Sequence, residues 1–435
     1  MTRTTAENAP TEVVASSGVV AAAELPGHLW LLWAGSAISR LGNVSATTAG
    51  PLLALQLTDS PIFAGLVAAA GTIPNLLLHL PAGVLVDRFD RWRIMVASQL
   101  VRLFTAGLLV WGLWNLDEPI VLLPIAAAIE STFATFYHMA ETAALPRIVP
   151  NELLSKAMTK NEARNHAALL LGRPLGGLLY GLGRALPFIV DMVTCVLSLL
   201  TLASIRNGEF RPIRRSSAKK AKMADQVSES LWWLWRDVFL RRVLVVCTIT
   251  NFLFQMVIIL LVVLARHRGL PSALIGVLLA ASGMGGILGA LLAPRILQRI
   301  QLRKTAVVCT WTWCVLTTVM AVADHPVVLL LVWAGVGFVG AHMNVALTVY
   351  QATSVPETLR GRVASLNSFA ARAPAALGAL MGGFIISRLG TQQAAFAVAA
   401  TMLALAISIT VHRRIEKETD DQRIKKADMA LKGDR

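Results

Sequence analysis

Residues 83–93 read GVLVDRFDRWR, a short charged stretch that separates two long apolar runs. The apolar run before it covers roughly residues 61–86, and the run after it covers roughly residues 93–115. An α-helix rises about 1.5 Å per residue, so each run is long enough to cross a bilayer. The sequence around this stretch therefore predicts two membrane-spanning helices joined by a tight, basic loop.

The same pattern extends over the whole chain. Hydrophobic residues make up 55% of the 435 positions, charged residues only 15%, and the mean hydropathy is +0.63. The runs are continuous, without the alternation of apolar and polar residues that is typical of barrel strands. They predict an all-α integral membrane protein with twelve transmembrane helices, near 29–55, 61–86, 93–115, 118–141, 164–183, 186–206, 241–265, 273–294, 305–324, 326–350, 364–387 and 391–411.

The basic residues predict the orientation of these helices. Most of the 40 Lys and Arg lie in the termini and the even-numbered loops, whereas the odd-numbered loops hold only Arg184, Arg266, Arg268 and Arg388. Loops rich in Lys and Arg stay in the cytoplasm, so we expect both termini there. We attribute the net charge of +15 to contacts with anionic membrane lipids and expect no nucleic-acid partner.

These features divide the chain into five parts. We expect a disordered cytoplasmic tail at 1–28, six-helix bundles at 29–206 and 241–411, a cytoplasmic linker at 207–240 and a basic tail at 412–435. The linker is basic at first and then contains LWWLW at 231–235, a composition suited to the inner membrane surface. Either a tether or a regulatory segment fits this composition.

The second bundle repeats the first in the same sense. A shift of 206 positions aligns the helix-packing glycines Gly172, Gly176 and Gly177 with Gly378, Gly382 and Gly383, without a gap. Small residues at such spacing let helices approach closely. Two parallel six-helix repeats are an arrangement in which two bundles can rock about a central site.

The opening stretch resembles the cytoplasmic signature of the major facilitator superfamily, with Gly83, Asp87, Arg88 and Arg91 at matching positions. Asp90 stands where that signature has a second glycine, and Trp92 where it often has a basic residue. The resemblance implies the major facilitator fold and a cytoplasmic gate formed by these four matching residues. A tight turn with cytoplasmic positive charges is the simpler interpretation of any one of them.

Other stretches narrow this resemblance. ALPRIVPNEL at 144–153, GRPLGG at 172–177 and VPETLRGRV at 355–363 are similar to the bacterial branch that contains macrolide-efflux proteins and the enterobactin exporter. The branch implies export of a small, largely apolar molecule across a bacterial cytoplasmic membrane, usually by proton antiport. We expect a monomer, because one chain already supplies both halves of a cavity. Import by symport, or a transport-dead sensor on the same scaffold, remain alternatives. Asn43 stands where branch members often carry an acidic residue, which weakens the case for proton coupling.

Several charged residues lie inside the predicted helices. Arg40, Arg102, Glu130 and Arg173 would be costly facing lipid, so we expect them to face the protein interior or a wet cavity. Glu130 and Arg173 lie near mid-depth on consecutive antiparallel helices, and we predict that they interact. Glu130 is then either a proton carrier or half of a permanent ion pair. Asp191 is a further candidate carrier, although we expect it to be solvated or to cap its helix.

By the geometry of the superfamily, helices one, four, seven and ten line the cavity. The resemblance therefore adds four polar cavity candidates to Arg40 and Glu130, namely Asn251, Gln255, His342 and Asn344. Each has an alternative role: the amides can join helices, and His342 can be a hydrogen-bonded packing residue. His342 could also titrate near neutrality.

Nothing in the sequence predicts an enzyme. It has no phosphate-binding glycine-rich loop ending in Lys and Ser or Thr, no His-Glu-x-x-His and no nucleophile elbow. The four cysteines fall inside predicted helices without metal-ligand spacing, so we expect no metal, cofactor or disulfide. The expected partners are a small-molecule substrate, protons and lipids. The sequence does not identify the substrate.

Overall fold

The computed structural model describes residues 27–117, 119–149, 151–205, 238–297, 302–323, 325–354 and 357–411. The predicted tails at 1–28 and 412–435 and the predicted linker at 207–240 lie outside these residues, apart from a few positions at their edges.

The described residues form α-helices joined by short turns, and no strand occurs among them. The helices are α1 Gly27–Thr58, α2 Pro61–Ala70, α3 Ile73–Arg88, α4 Arg91–Asn115, α5 Leu122–Ile148, α6 Asn151–Leu182, α7 Leu186–Ala203, α8 Val238–His267, α9 Ser272–Leu297, α10 Leu302–Val322, α11 Pro326–Ser354, α12 Glu357–Leu389 and α13 Thr391–Val411. Eight helical stretches of the described residues are long and apolar enough to cross a membrane. Helices also stand at the other four predicted positions, one of which, Ala373–Leu389, is apolar but shorter, so the count of twelve spans stays a prediction.

The second predicted span, 61–86, is broken into α2 and α3, so its prediction as one helix is wrong. Pro74 lies in the first turn of α3. Proline has no N–H and its ring clashes with the carbonyl four residues earlier, so it favours a kink or a break at this point. Gly71 and Thr72 form the turn between the two helices, and Thr72 Oγ1 donates a hydrogen bond to the Ala68 carbonyl at 2.9 Å.

Two helices begin well before their predicted membrane spans. α6 begins at Asn151 instead of 164, and α12 begins at Glu357 instead of 364. Hydropathy marks only the part of a helix that lies in the bilayer, whereas these helices continue with a polar first half. The two start positions differ by 206 residues, the same offset as the sequence repeat.

Each half of the chain packs as a bundle with equivalent internal contacts. In the first half α1 packs on α6 and α7, and α4 packs on α5 and α7; in the second half α8 packs on α12, and α11 packs on α9 and α10. A Cβ atom added to Gly176 would lie 2.5 Å from the Ser45 carbonyl oxygen of α1. One added to Gly382, its repeat equivalent, would lie 2.9 Å from Met256 Cα of α8. Glycines at repeat-equivalent positions therefore allow the same close helix contact in both halves, α6 on α1 and α12 on α8.

The two halves meet along two seams. α6 packs on α9, where a Cβ atom on Gly276 would lie 2.5 Å from Gly177 Cα, and α2 packs on α12, where a Cβ atom on Gly65 would lie 2.6 Å from the Ala379 carbonyl oxygen. The second contact lies at the end of the bundle where α2 begins, which we call the outer end after the predicted orientation. Both seams need backbones in direct contact, which only small residues permit.

Candidate functional site

A cavity of about 770 Å³ lies between the two halves. The first half supplies most of its wall, from α1, the α2–α3 break, α4, α5, α6 and α7, while α8, α9 and α12 close the other side. None of the described residues of α11 lines it. The wall is largely apolar, and the ionisable or amide side chains on it are Arg40, Asn43, Asn75, Glu130, His138, Arg173, Asp191, Asn251 and Gln255.

The two carboxylates on the cavity wall, Glu130 and Asp191, both bind Arg102, which lies behind the wall. Arg102 Nε donates a hydrogen bond to Glu130 Oε2 at 2.8 Å, and Arg102 Nη2 donates to Asp191 Oδ1 at 2.8 Å. The side chains of Arg102 and Asp191 are 2% and 1% exposed, and that of Glu130 is 11% exposed. We call these three residues, from α4, α5 and α7, the buried ion cluster.

Neutral side chains hold the arginine of this cluster in place. Arg102 Nη1 donates to Ser39 Oγ at 2.8 Å and to Gln99 Oε1 at 3.0 Å. Gln99 Nε2 in turn donates to Ser39 Oγ and to Ser198 Oγ. Ser198 shares a hydrogen bond with Tyr137 at 3.2 Å. The guanidinium is therefore fixed by α1, α4, α5 and α7 together, and its direction does not depend on the carboxylates alone.

Each carboxylate of the cluster has one oxygen without a partner. Glu130 Oε1 and Asp191 Oδ2 are buried and accept no hydrogen bond from the described residues. With both carboxylates ionised the cluster carries two negative charges and one positive charge. Binding one proton makes it neutral, and a protonated carboxyl gains an O–H donor for the neighbouring oxygen. The arrangement can therefore hold one exchangeable proton beside the cavity.

A second buried ion pair ties the first half together nearer the predicted cytoplasmic end. Arg164 Nη2 of α6 donates to Glu141 Oε1 of α5 at 2.6 Å and to Asn161 Oδ1 at 2.8 Å. Arg164 Nη1 donates to the Trp33 carbonyl of α1 at 3.0 Å. His138 Nδ1 lies 3.9 Å from Glu141 Oε2. This pair joins α1, α5 and α6 into one body.

The predicted Glu130–Arg173 interaction is wrong, because Glu130 binds Arg102 instead. Glu130 and Arg173 both line the cavity, but they do not bind each other. Asp191 is also misassigned as a solvated or capping residue, since it is 1% exposed and binds Arg102. Asp191 begins a polar face of α7 that continues through Thr194 and Ser198, a helical spacing that could have indicated burial.

The structure separates the predicted cavity residues into two groups. Arg40, Asn251 and Gln255 line the cavity, although Asn251 Nδ2 donates to the Cys247 carbonyl of its own helix at 2.7 Å. His342 and Asn344 do not line it. His342 is buried with its Nδ1 2.9 Å from the Phe338 carbonyl oxygen. Asn344 is exposed on α11. The helical rotation of α11 decides this, and the sequence did not indicate it.

The signature stretch, predicted as a loop, spans the last turns of α3, a two-residue connection at 89–90 and the start of α4. The surroundings of Gly83 and the side chain of Asp87 lie outside the described part of the structure, while Arg88 is exposed and Arg91 is buried. The two departures from the family pattern have structural roles here. Asp90 caps α4 by accepting a hydrogen bond from the Trp92 backbone N–H at 3.0 Å, and Trp92 Nε1 donates to the Leu202 carbonyl at the end of α7.

The predicted packing glycines lie at helix contacts. Gly172 faces the Val44 side chain of α1, and Gly378 faces the Phe252 carbonyl of α8. Gly383 faces Pro61 at the start of α2, so it belongs to the seam between the two halves.

Comparison with known proteins gives a consistent result. Residues 27–431 match the family model described as transmembrane secretion effector. The chain is 27% identical over 390 residues to the multidrug efflux pump Tap of Mycolicibacterium fortuitum, covering 88% of this chain and 94% of the relative. It is 25% identical over 178 residues to macrolide efflux protein A of Streptococcus pyogenes, covering 41% and 44%.

Solved structures share the fold at low sequence identity. The nucleoside transporter NupG superposes with a TM-score of 0.69 at 13% identity, covering 89% of this chain and 99% of that structure. A bacterial homologue of the iron transporter ferroportin in an inward-facing state superposes with a TM-score of 0.66 at 16% identity, covering 88% and 100%. These likenesses establish the fold, and they carry no information about the transported molecule.

Proposed function

This chain belongs to the transmembrane secretion effector family of the major facilitator superfamily, and we propose that it exports small, largely apolar molecules from the bacterial cytoplasm in exchange for protons. The relatives named as multidrug and macrolide efflux proteins support export as the direction. The proposal includes a cytoplasmic-membrane location with both termini in the cytoplasm, and a monomer as the working unit.

The observation that carries the proposal is the buried ion cluster at the cavity wall. Glu130 and Asp191 share Arg102, and both line the cavity that would receive the substrate. A net buried charge is expensive at membrane depth, so the proton occupancy of this cluster depends strongly on whether water reaches it. Protonation from the outside and release to the cytoplasm would then drive the cycle.

The seams between the halves support alternating access. Gly65 and Gly383 bring α2 and α12 into backbone contact at the outer end, and Asp59 Oδ1 and Arg266 Nη2 form an ion pair at 3.0 Å across the same end. The outer end is thus closed by contacts that a rocking motion would separate. Packed bundles switch between discrete arrangements of this kind without unfolding.

The cavity composition supports a permissive, largely apolar substrate. Its wall is largely apolar and includes Ile258, Ile259 and Val262 of α8 and Leu123 and Ala126 of α5. Cavities of this size and composition bind drug-sized molecules through burial, with few polar groups fixing orientation.

The proposal is tested by transport in liposomes. The compound to which expression of the chain gives the highest resistance in a drug-sensitive bacterial host serves as the radiolabelled probe, with erythromycin included because one relative is named for macrolides. An imposed proton gradient should drive the probe against its own gradient, and the direction of movement separates antiport from symport.

Two variants and one control make the test specific. Glu130→Gln and Asp191→Asn should each abolish gradient-driven flux while leaving exchange of labelled for unlabelled probe. Asp117→Asn, which neutralises an exposed carboxylate beyond the end of α4, should transport like the unaltered chain. Full gradient-driven flux in both cluster variants would remove the cluster as the proton site.

A further inference from the structure

Arg173 of α6 lies at the junction of α6, α1 and α9. Its neighbour Gly172 packs on Val44 of α1, and a Cβ atom added to Gly276 of α9 would lie 3.3 Å from the Arg173 carbonyl oxygen. The residue thus lies where α6 meets α1 of its own half and α9 of the other half. Its side chain lines the cavity.

The guanidinium of Arg173 has no hydrogen bond or ion pair among the described residues, although most of its surface is buried. The two carboxylates that line the same cavity, Glu130 and Asp191, both bind Arg102. A cation at membrane depth without a counter-charge is unfavourable, and such residues mark the paths of substrates and ions. An anionic group on a bound molecule would supply the missing counter-charge.

The surroundings of Arg173 also favour an anion. Arg40 lines the same cavity, so a second guanidinium group stands on the wall with Arg173, while the two carboxylates on that wall bind Arg102. The Asn43 side-chain nitrogen is buried, lies on the α1 segment next to Val44, and has no acceptor among the described residues. Arg173 and Asn43 are therefore two hydrogen-bond donors of the cavity wall that an oxyanion could satisfy.

We propose that Arg173 forms an anion-binding subsite, which receives the carboxylate or another oxyanion of an amphiphilic substrate whose apolar body fills the aliphatic part of the cavity. Arg173 supplies a charge-assisted, two-pronged hydrogen bond, and Asn43 supplies a neutral donor beside it. Gln255 on the opposite wall, from α8, is placed to contact the same molecule from the other half. This inference rests on the proposed function, because it takes the cavity to be the substrate site.

The position of Arg173 connects the subsite to the transport cycle. Because its backbone contacts α9, an anion held by Arg173 and Gln255 bridges the two halves at a seam that changes during rocking. Antiport of the anion and the proton requires that the two halves rock when one of them is bound, and not when both or neither are bound. Exporting one anion for one imported proton moves two charges in the same direction, so transport would depend steeply on membrane potential.

The subsite is tested by binding, with no gradient present. The purified full-length chain in detergent is titrated with three probes of the same shape and different charge: 2-naphthoate, 2-naphthamide and 2-naphthylmethylammonium. The variants are Arg173→Gln, Arg173→Lys and the control Arg295→Gln, which removes an exposed arginine at the end of α9. Thermal unfolding confirms that each variant is folded.

The unaltered chain and Arg295→Gln should bind 2-naphthoate about tenfold or more tightly than 2-naphthamide, the fold-change expected for one charge-assisted hydrogen bond. Arg173→Gln should lose this preference and keep its affinity for the amide, whereas Arg173→Lys should retain part of it. No binding of 2-naphthoate, equal binding of the three probes, a preference for the ammonium, or a preference that survives in Arg173→Gln would each overturn the proposal. Glu130→Gln should still prefer 2-naphthoate, so loss of proton exchange and loss of the subsite are distinguishable.

Discussion

Replacing Arg102 with methionine should destabilise the protein strongly, because it removes the only cation of the buried ion cluster. Arg102 donates hydrogen bonds to Glu130, Asp191, Ser39 and Gln99. Methionine fills a similar volume but leaves two carboxylates without a counter-charge. Removing one partner of a buried ion pair costs about 3–5 kcal/mol, so the free energy of unfolding should fall by roughly that amount.

Neutralising the two carboxylates as well shows how much of this loss of stability comes from unpaired charge and how much from altered packing. The triple variant that adds Glu130→Gln and Asp191→Asn to Arg102→Met has no buried charge, so it should recover most of the stability. Arg295→Met, at an exposed position on α9, should change the free energy of unfolding by less than about 0.5 kcal/mol.

Equilibrium unfolding provides the measurement. The purified chain in mixed micelles is titrated with sodium dodecyl sulfate and followed by tryptophan fluorescence, with the single, triple and control variants side by side. A single variant as stable as the Arg295→Met control, or a triple variant no more stable than Arg102→Met, would show that Arg102 is not the counter-charge of the cluster.

Three further predictions concern the gate, the cavity and the seam. Asp87→Asn should slow turnover in liposomes much more than it weakens probe binding; equal turnover would contradict the gate assignment. Asn43→Asp places a carboxylate on the cavity wall and should steepen the pH dependence of transport, whereas an unchanged pH profile would make this position irrelevant to energy coupling. Gly65→Ala should weaken closure of the outer end, because its Cβ would lie 2.6 Å from the Ala379 carbonyl oxygen. A cysteine introduced at the outer seam should then be labelled faster by a thiol reagent. Gly107→Ala, whose Cβ would make an ordinary 3.5 Å contact, is the control.

The sequence predicted the parts of this fold that follow from hydropathy and repetition. Apolar runs located the helices, and the 206-residue repeat located the glycines that press α6 on α1 and α12 on α8. The break at Gly71 was missed because most residues around it are apolar, so the hydropathy averaged over a membrane span stays high there. Pro74 is the residue that indicates it.

The sequence predicted that Glu130 and Arg173 would line the cavity, but it did not predict which way each side chain points. Counting residues placed Glu130 and Arg173 at similar depth, yet contact also requires the two side chains to point towards each other around their helix axes. The packing of α5 on α4 turns Glu130 towards Arg102, and the packing of α6 on α9 leaves Arg173 facing the cavity. Such rotations arise from tertiary contacts, which one sequence does not display.

Infrared spectroscopy of the carboxyl groups tests the central claim most directly, since it observes the proton on the cluster itself. Difference spectra of the purified chain are recorded during a pH titration, for the unaltered chain, Glu130→Gln, Asp191→Asn and the control Asp117→Asn. The account predicts a protonated carboxyl band that titrates over the pH range in which transport changes, persists in the control and is lost or displaced in both cluster variants. A band unaffected by either cluster variant, or no titrating carboxyl at all, would contradict it.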